Sequence, residues 1–148
     1  MPREGYIREL RAQVGSRPLL LPSVAALIRN GDRVLVGRHR DVGRWVMPGG
    51  ALEPGERPVD GLVREVWEET GLHVAISGLR GVYGGGADHR IQYPNGDIVD
   101  YVAAVFECHV VGGALHAETP ELDSLRWVTL PELAALDTPP WLAMVLEP

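Results

Sequence analysis

The run PVDGLVREVWEET, entered from the turn EPGE and closed by Gly71, constrains this chain more than any other part of it. Residues three and four apart on a helix are neighbours, so a helix here gathers Glu65, Glu68 and Glu69 on one face, where each pair of carboxylates repels by about 0.2–0.5 kcal/mol. Glu68 and Glu69 also precede Gly71, the expected left-handed C-cap, where the helix dipole is already negative. A face of this kind invites a cation. Carboxylate oxygens suit hard ions, and Mg²⁺ typically takes one or two of them together with waters and substrate phosphates. The expected cofactor is therefore Mg²⁺ or Mn²⁺, held by Glu65, Glu68 and Glu69.

The surrounding residues read as a scaffold for that face. Val59, Leu62, Val63 and Val66 follow the i, i+3, i+4, i+7 pattern and are expected to pack on a sheet. Pro58 suits the first helical position, which needs no backbone N–H. Glu53-Pro54-Gly55-Glu56 places Pro and Gly at the centre of a type II turn leading into the helix. Arg64 stands one turn before Glu68 and can pair with it, or reach back to Glu56.

At 148 residues and 45% hydrophobic content, the chain is expected to form one domain with one core. Its apolar runs are shorter than the roughly 18–20 residues that span a bilayer, and the N-terminus lacks a secretory signal, so the expected location is cytoplasmic. The net charge of −6 argues against general nucleic-acid binding. Cys108, the single cysteine, reads as a buried thiol. None of the 5 histidines falls in a paired metal-ligand spacing.

Along the chain, 3–14 reads as a short helix packed on the domain, with a dimer contact as the alternative. Strands are expected at 19–28 and 33–37 around Asn30-Gly31-Asp32, and at 90–93 and 98–111 around Asn95-Gly96. A last strand at 125–129, a helix at 131–136 and an apolar stretch at 141–146 complete the reading.

The segment 50–72 resembles the Nudix box, G-x5-E-x7-R-E-U-x-E-E-x-G-U, where U is a bulky aliphatic residue. Every fixed position matches: Gly50, Glu56, Arg64, Glu65, Val66, Glu68, Glu69, Gly71 and Leu72. The similarity continues through Trp45-Val46-Met47-Pro48-Gly49 before the box, and through Trp127-Val128 and Leu130-Pro131-Glu132-Leu133 near the end. Gly61 departs from the helix-favouring Ala usual there, at about 1 kcal/mol, and Arg57 replaces the common Ser or Thr N-cap.

The resemblance implies an α/β fold, a Nudix-type α/β/α sandwich with a mixed β-sheet. It also implies a Mg²⁺-dependent hydrolase (MutT-like pyrophosphatase) that cleaves a nucleoside diphosphate linked to another moiety. A nucleoside triphosphate, a modified nucleotide or a nucleotide sugar would release a nucleoside monophosphate. The alternatives are an ADP-ribose or dinucleoside polyphosphate pyrophosphatase, and a Nudix-fold binding module; the intact carboxylates weigh against the module. A Nudix-like isomerase would need a pocket cysteine, and Cys108 lies on an expected strand far from the box in sequence.

Beyond the box carboxylates, backbone oxygen near Gly49 and Gly50 is expected at the metal and the substrate, and Arg64 is expected to orient a carboxylate. The water-activating base is left among Glu121, Glu118 and Glu65. Arg38 could receive a phosphate or be a solvated strand end. Trp45 could stack on a base but reads more readily as core. Tyr83, with Tyr93 and Tyr101, could line a nucleoside pocket, and 84–89 has the glycines of a recognition loop. The expected partner is a small nucleotide, with a homodimer possible and no membrane contact.

Overall fold

The computed structural model describes residues 5–147. Helix α1 (Tyr6–Val14) leads into β1 (Leu19–Asn30), which turns at Gly31 into β2 (Arg33–His39). Two short strands follow, β3 (Trp45–Val46) and β4 (Gly49–Ala51), then α2 (Pro58–Thr70) and β5 (Leu72–Gly84). A 3₁₀ turn (Ala87–His89) precedes β6 (Arg90–Gln92), β7 (Ile98–Gly113), β8 (Leu122–Thr129), α3 (Leu130–Ala134) and α4 (Pro140–Leu146).

The sheet runs β3-β2-β1-β7-β5, with β4 beside β1, β6 beside β7 and β8 beside β2. It is mixed, because β1 and β7 run parallel while β1 pairs antiparallel with β4 and β2. Burial in β1 is continuous from Ser23 to Ile28, the mark of a strand covered on both faces. Val24, Ala26 and Ile28 meet Leu62 and Val66 of α2 on one side, while Ala25 and Leu27 join Leu133 of α3 and Leu142 and Val145 of α4 on the other. Helices on both faces of a mixed sheet make the expected α/β/α sandwich.

Both glycine turns expected to close hairpins do so. Asn30 faces Arg33 across the first, where Gly31 adopts φ +61°, and Gln92 faces Ile98 across the second, where Gly96 adopts φ +92°. Ile7 of α1 is buried with Leu21, Tyr93 and Val99, so the helix packs on its own chain. Residues 3 and 4 of the helix expected over 3–14 lie outside the described residues.

Three expectations need correction. Strand β5 had no counterpart in the sequence reading, since Gly78, Gly81 and Gly84 break its apolar alternation. Gly78 and Gly81 accompany register shifts against β7 between Ile76 and Gly78 and between Leu79 and Gly81. The last strand starts at Leu122 rather than at 125. Val59 and Val63 do not anchor α2: both are exposed, and the buried face consists of Gly61, Leu62, Glu65, Val66, Glu69 and Thr70. Two glutamates thus occupy the packed side of the helix.

Candidate active site

The turn before α2 folds as its residues dictate. Glu56 N–H donates to Glu53 O at 3.0 Å, and Gly55 takes the positive φ (+80°) that a type II turn requires. Arg57 sits at the N-cap without a side-chain cap, Pro58 opens the helix, and Gly71 closes it in the left-handed region.

Arg64 holds this loop and helix together. Its Nε and Nη2 donate to Glu56 Oε2 and Oε1 at 2.7 and 2.9 Å, and its Nη1 donates to Glu65 Oε1 at 3.0 Å and Glu68 Oε2 at 3.2 Å. The two pairings expected as alternatives therefore coexist, with Glu65 added. The hydrogen bonds the guanidinium donates to Glu56, followed by the nearby Glu65, raise its already high pKa. Gly61 has a packing reason: a Cβ there would meet Leu52 Cδ2 at 2.5 Å and Glu56 Oε1 at 2.8 Å.

The acidic residues divide by environment. Glu68 is half-exposed beside Arg64, Glu65 is fully buried, and Glu69 is buried at the wall of a cavity. Gly49 N–H donates to Glu69 Oε2 at 3.2 Å, and Gly49 is pressed so close to β1 that a Cβ would lie 2.1 Å from Val24 O. Glu121, just before β8, lines the same cavity close enough to Glu69 for their charges to interact. Burial first, then Glu121, then Glu65 push the Glu69 carboxyl well above its ordinary range, and the Gly49 N–H opposes them only in part.

Behind this acidic pair the cavity runs along β1, past Ser23, Val24 and Ala25, then Gly49 to Ala51, to a wall of His39, His89, Tyr93, Tyr101 and Trp141. Asp41 N–H donates to His39 Nδ1 at 3.1 Å, and burial lowers the pKa of that ring despite Asp41 and Glu121 nearby.

Of the residues singled out from sequence, Glu69, Glu121, Gly49, Gly50, Tyr93 and Tyr101 line the cavity together. Glu65 and Glu68 are not in the cavity lining and are bridged by Arg64. Arg38 is not at the cavity wall; Asp123 grips its guanidinium through two hydrogen bonds of 2.8 Å. Trp45 is core, with Arg126 over its ring at 4.4 Å, and Tyr83 packs on the same core cluster outside the cavity lining. Glu118 is exposed and paired with Arg40 at 3.0 Å, away from Glu69. Cys108 is buried under α2, its thiol pushed up to about 12 by burial, and does not line the cavity. His89, from the 84–89 segment read as a recognition loop, also lines it; His39 and Trp141 were not foreseen as cavity residues, since they come from a strand end and the last helix and share no periodic signal.

Among the described residues no three His, Cys, Asp or Glu side chains close into a ready-made metal cage. The donor set still fits a hard cation. Glu69 and Glu121 crowd together at a cost that a divalent charge would relieve, and Mg²⁺ needs only one or two carboxylates when substrate phosphates and waters fill the remaining positions. No helix among the described residues is long and apolar enough to cross a membrane.

Comparison with known proteins adds three findings. The NUDIX domain profile matches residues 19–147. A MutT-like protein of Streptomyces ambofaciens is 38% identical over 120 residues, covering 80% of this chain and 70% of its own, and an ADP-ribose pyrophosphatase of Methanocaldococcus jannaschii is 32% identical over 125 residues with the same coverage. A NUDIX hydrolase from Nitrosomonas europaea superposes with a TM-score of 0.70 at 24% identity, covering 86% of each chain, a likeness of fold.

Proposed function

The chain belongs to the NUDIX family of hydrolases, and from that premise we propose that it hydrolyses the diphosphate linkage of a nucleotide with Mg²⁺ or Mn²⁺, releasing a nucleoside monophosphate. Divalent metals are general among Nudix hydrolases. The observation that carries the reading is the buried Glu69 beside Glu121 at the mouth of a cavity walled by aromatic side chains.

Glu69, with Glu65 and Glu68 of the same helix, would hold the ion with backbone oxygen at Gly49. When bound, it would neutralise charge on the diphosphate and lower the pKa of the attacking water. Arg64 keeps Glu65 and Glu68 in place and fixes the loop through Glu56, so the carboxylates are positioned before substrate arrives. Glu121 is the favoured base, because it reaches Glu69 while Glu118 is tied to Arg40 at the surface. It would take the proton from water as the water oxygen bonds to phosphorus; the anhydride P–O bond then breaks, and its electrons leave with the departing phosphate oxygen. Positioning and charge neutralisation carry most of such a reaction.

The favoured substrates are nucleoside triphosphates, modified nucleotides and nucleotide sugars, with ADP-ribose and dinucleoside polyphosphates as the alternative. A panel of these with Mg²⁺ tests the reading: at least one should be cleaved to a nucleoside monophosphate, and full activity in excess EDTA would remove the metal from the mechanism. Glu121→Gln should lower kcat by roughly 10²–10⁴-fold with Mn²⁺ affinity nearly intact. An unchanged single-turnover rate would take Glu121 out of the reaction.

A further inference from the structure

The wall of the cavity away from the acidic pair carries a buried polar atom that the hydrolytic reading does not use. His89 is 8% exposed, and its ring lies near-parallel to that of Trp141, at 27° with 5.9 Å between centroids. His89 Nδ1 is 2.8 Å from Gly85 O. A carbonyl oxygen can only accept, so Nδ1 carries the proton, and in the neutral ring Nε2 is an acceptor. That Nε2 is buried with no hydrogen-bond partner among the described residues. Gly85 and Gly86, both at positive φ, shape the turn that holds the ring, and His89 N–H returns to Gly86 O. Rotating the imidazole to hide Nε2 would break the bond to Gly85.

Buried polar atoms in folded proteins are almost always paired, and an orphan in a cavity wall is a place where a ligand group supplies the missing partner. The surroundings indicate what kind of group. Trp141, Tyr93 and Tyr101 line the same cavity, the two tyrosine hydroxyls hydrogen-bonded to each other at 3.0 Å. Aromatic rings beside a buried, unpartnered acceptor suit a flat heterocycle with an N–H on its edge. We propose that this wall receives the base of the nucleotide and that His89 Nε2 accepts a hydrogen bond from an exocyclic amino group, making His89 a residue that selects amino-bearing bases. The nucleotide itself rests on the hydrolase reading; the choice of base rests on His89.

The test needs neither metal nor turnover. The full chain is titrated with AMP and GMP and with their deamino counterparts, purine riboside monophosphate and IMP, while the ¹⁵N resonance of His89 Nε2 is followed. At least one amino-bearing nucleotide should bind roughly 10-fold tighter than its counterpart, the worth of one uncharged hydrogen bond, and should shift the Nε2 resonance where the counterpart does not. His89→Phe, which keeps a ring beside Trp141, should erase that preference, and His89→Gln, which can offer an amide oxygen, should restore part of it. Equal binding of both members of each pair, a preference that survives His89→Phe, or a silent Nε2 overturns the proposal. If His89→Phe melts early, the wild-type resonance still decides. Hydrolysis of the corresponding nucleoside triphosphates by the same protein with Mg²⁺ separates the two readings: cleavage without base preference removes only the His89 site, and preference in the binding titration without cleavage of any triphosphate removes only the hydrolase.

Discussion

Replacing Arg64 by Ala strips the counter-charge from carboxylates in very different settings. Glu56 keeps 15% of its side chain exposed and Glu65 only 1%, whereas Glu68 keeps 49%. Removing one partner of a buried ion pair costs about 3–5 kcal/mol, while an exposed i,i+4 pair is worth about 0.3–0.5 kcal/mol. The loss should therefore be dominated by Glu56 and Glu65, at about 3–5 kcal/mol. At roughly 2–4 °C per kcal/mol for a chain of this size, Tm should fall by about 6–20 °C, and turnover should fall with it. The pH dependence identifies the cause. Without the guanidinium, the folded-state pKa values of these carboxyls rise above the unfolded value near about 4.3. The unfolded chain then ionises first, so the deficit is largest at neutral pH and shrinks on acidification toward that value. Arg64→Lys, with charge but no fork to bridge three carboxylates, should fall between parent and Ala. Metal-free thermal melts at pH 7 and pH 4.5 measure both effects. An Ala variant that melts with the parent at pH 7, or a deficit equal at the two pH values, would refute the reasoning.

Glu69→Gln removes a carboxylate whose pKa is raised by burial, Glu121 and Glu65. A raised carboxyl pKa costs stability as pH climbs through the unfolded value toward the folded one. In divalent-free buffer the variant should thus melt higher than the parent at neutral pH, while kcat drops by orders of magnitude and the gain in Tm on adding Mn²⁺ shrinks; a lower metal-free Tm would contradict this. Gly61→Ala should destabilise, by about 1–3 kcal/mol, because the new methyl meets Leu52 and the Glu56 carboxylate held by Arg64. A rise in Tm would show that helix propensity outweighs packing there.

That last contrast marks where sequence reasoning stops. Helix periodicity placed the box carboxylates and Arg64, glycine turns placed both hairpins, and the cap at Gly71 followed from residue type. The burial of α2 did not follow, because hydrophobic ranking chose Val59 and Val63 where the fold buries Glu65 and Glu69. Charged groups on a packed face defy the rule for cores, as sites built to hold charge do. Helix propensity likewise counted Gly61 as a defect, since the contacts that require it come from the loop before the helix. Trp45 was correctly weighed toward core. The approach of Glu121 to Glu69 depends on how the β8 region lies across the sheet, and His89 meets Trp141 through a turn and a distant helix, so neither is encoded in local spacing.

The parallel pairing of β1 with β7 also bears on when the site can exist. Ser23 Oγ reaches Val102 O, 79 residues further along, and the cavity wall still awaits Glu121 and Trp141. Contacts so distant in sequence must close a large loop before they are rewarded, which slows folding. On a ribosome α2 would emerge after β1 and β4 but well before β7, Glu121 and Trp141, so the cavity beside Glu69 would still lack most of its wall. The pocket is therefore a late product of synthesis, and a chain stalled before β8 would hold the box without the enclosure that gives it purpose.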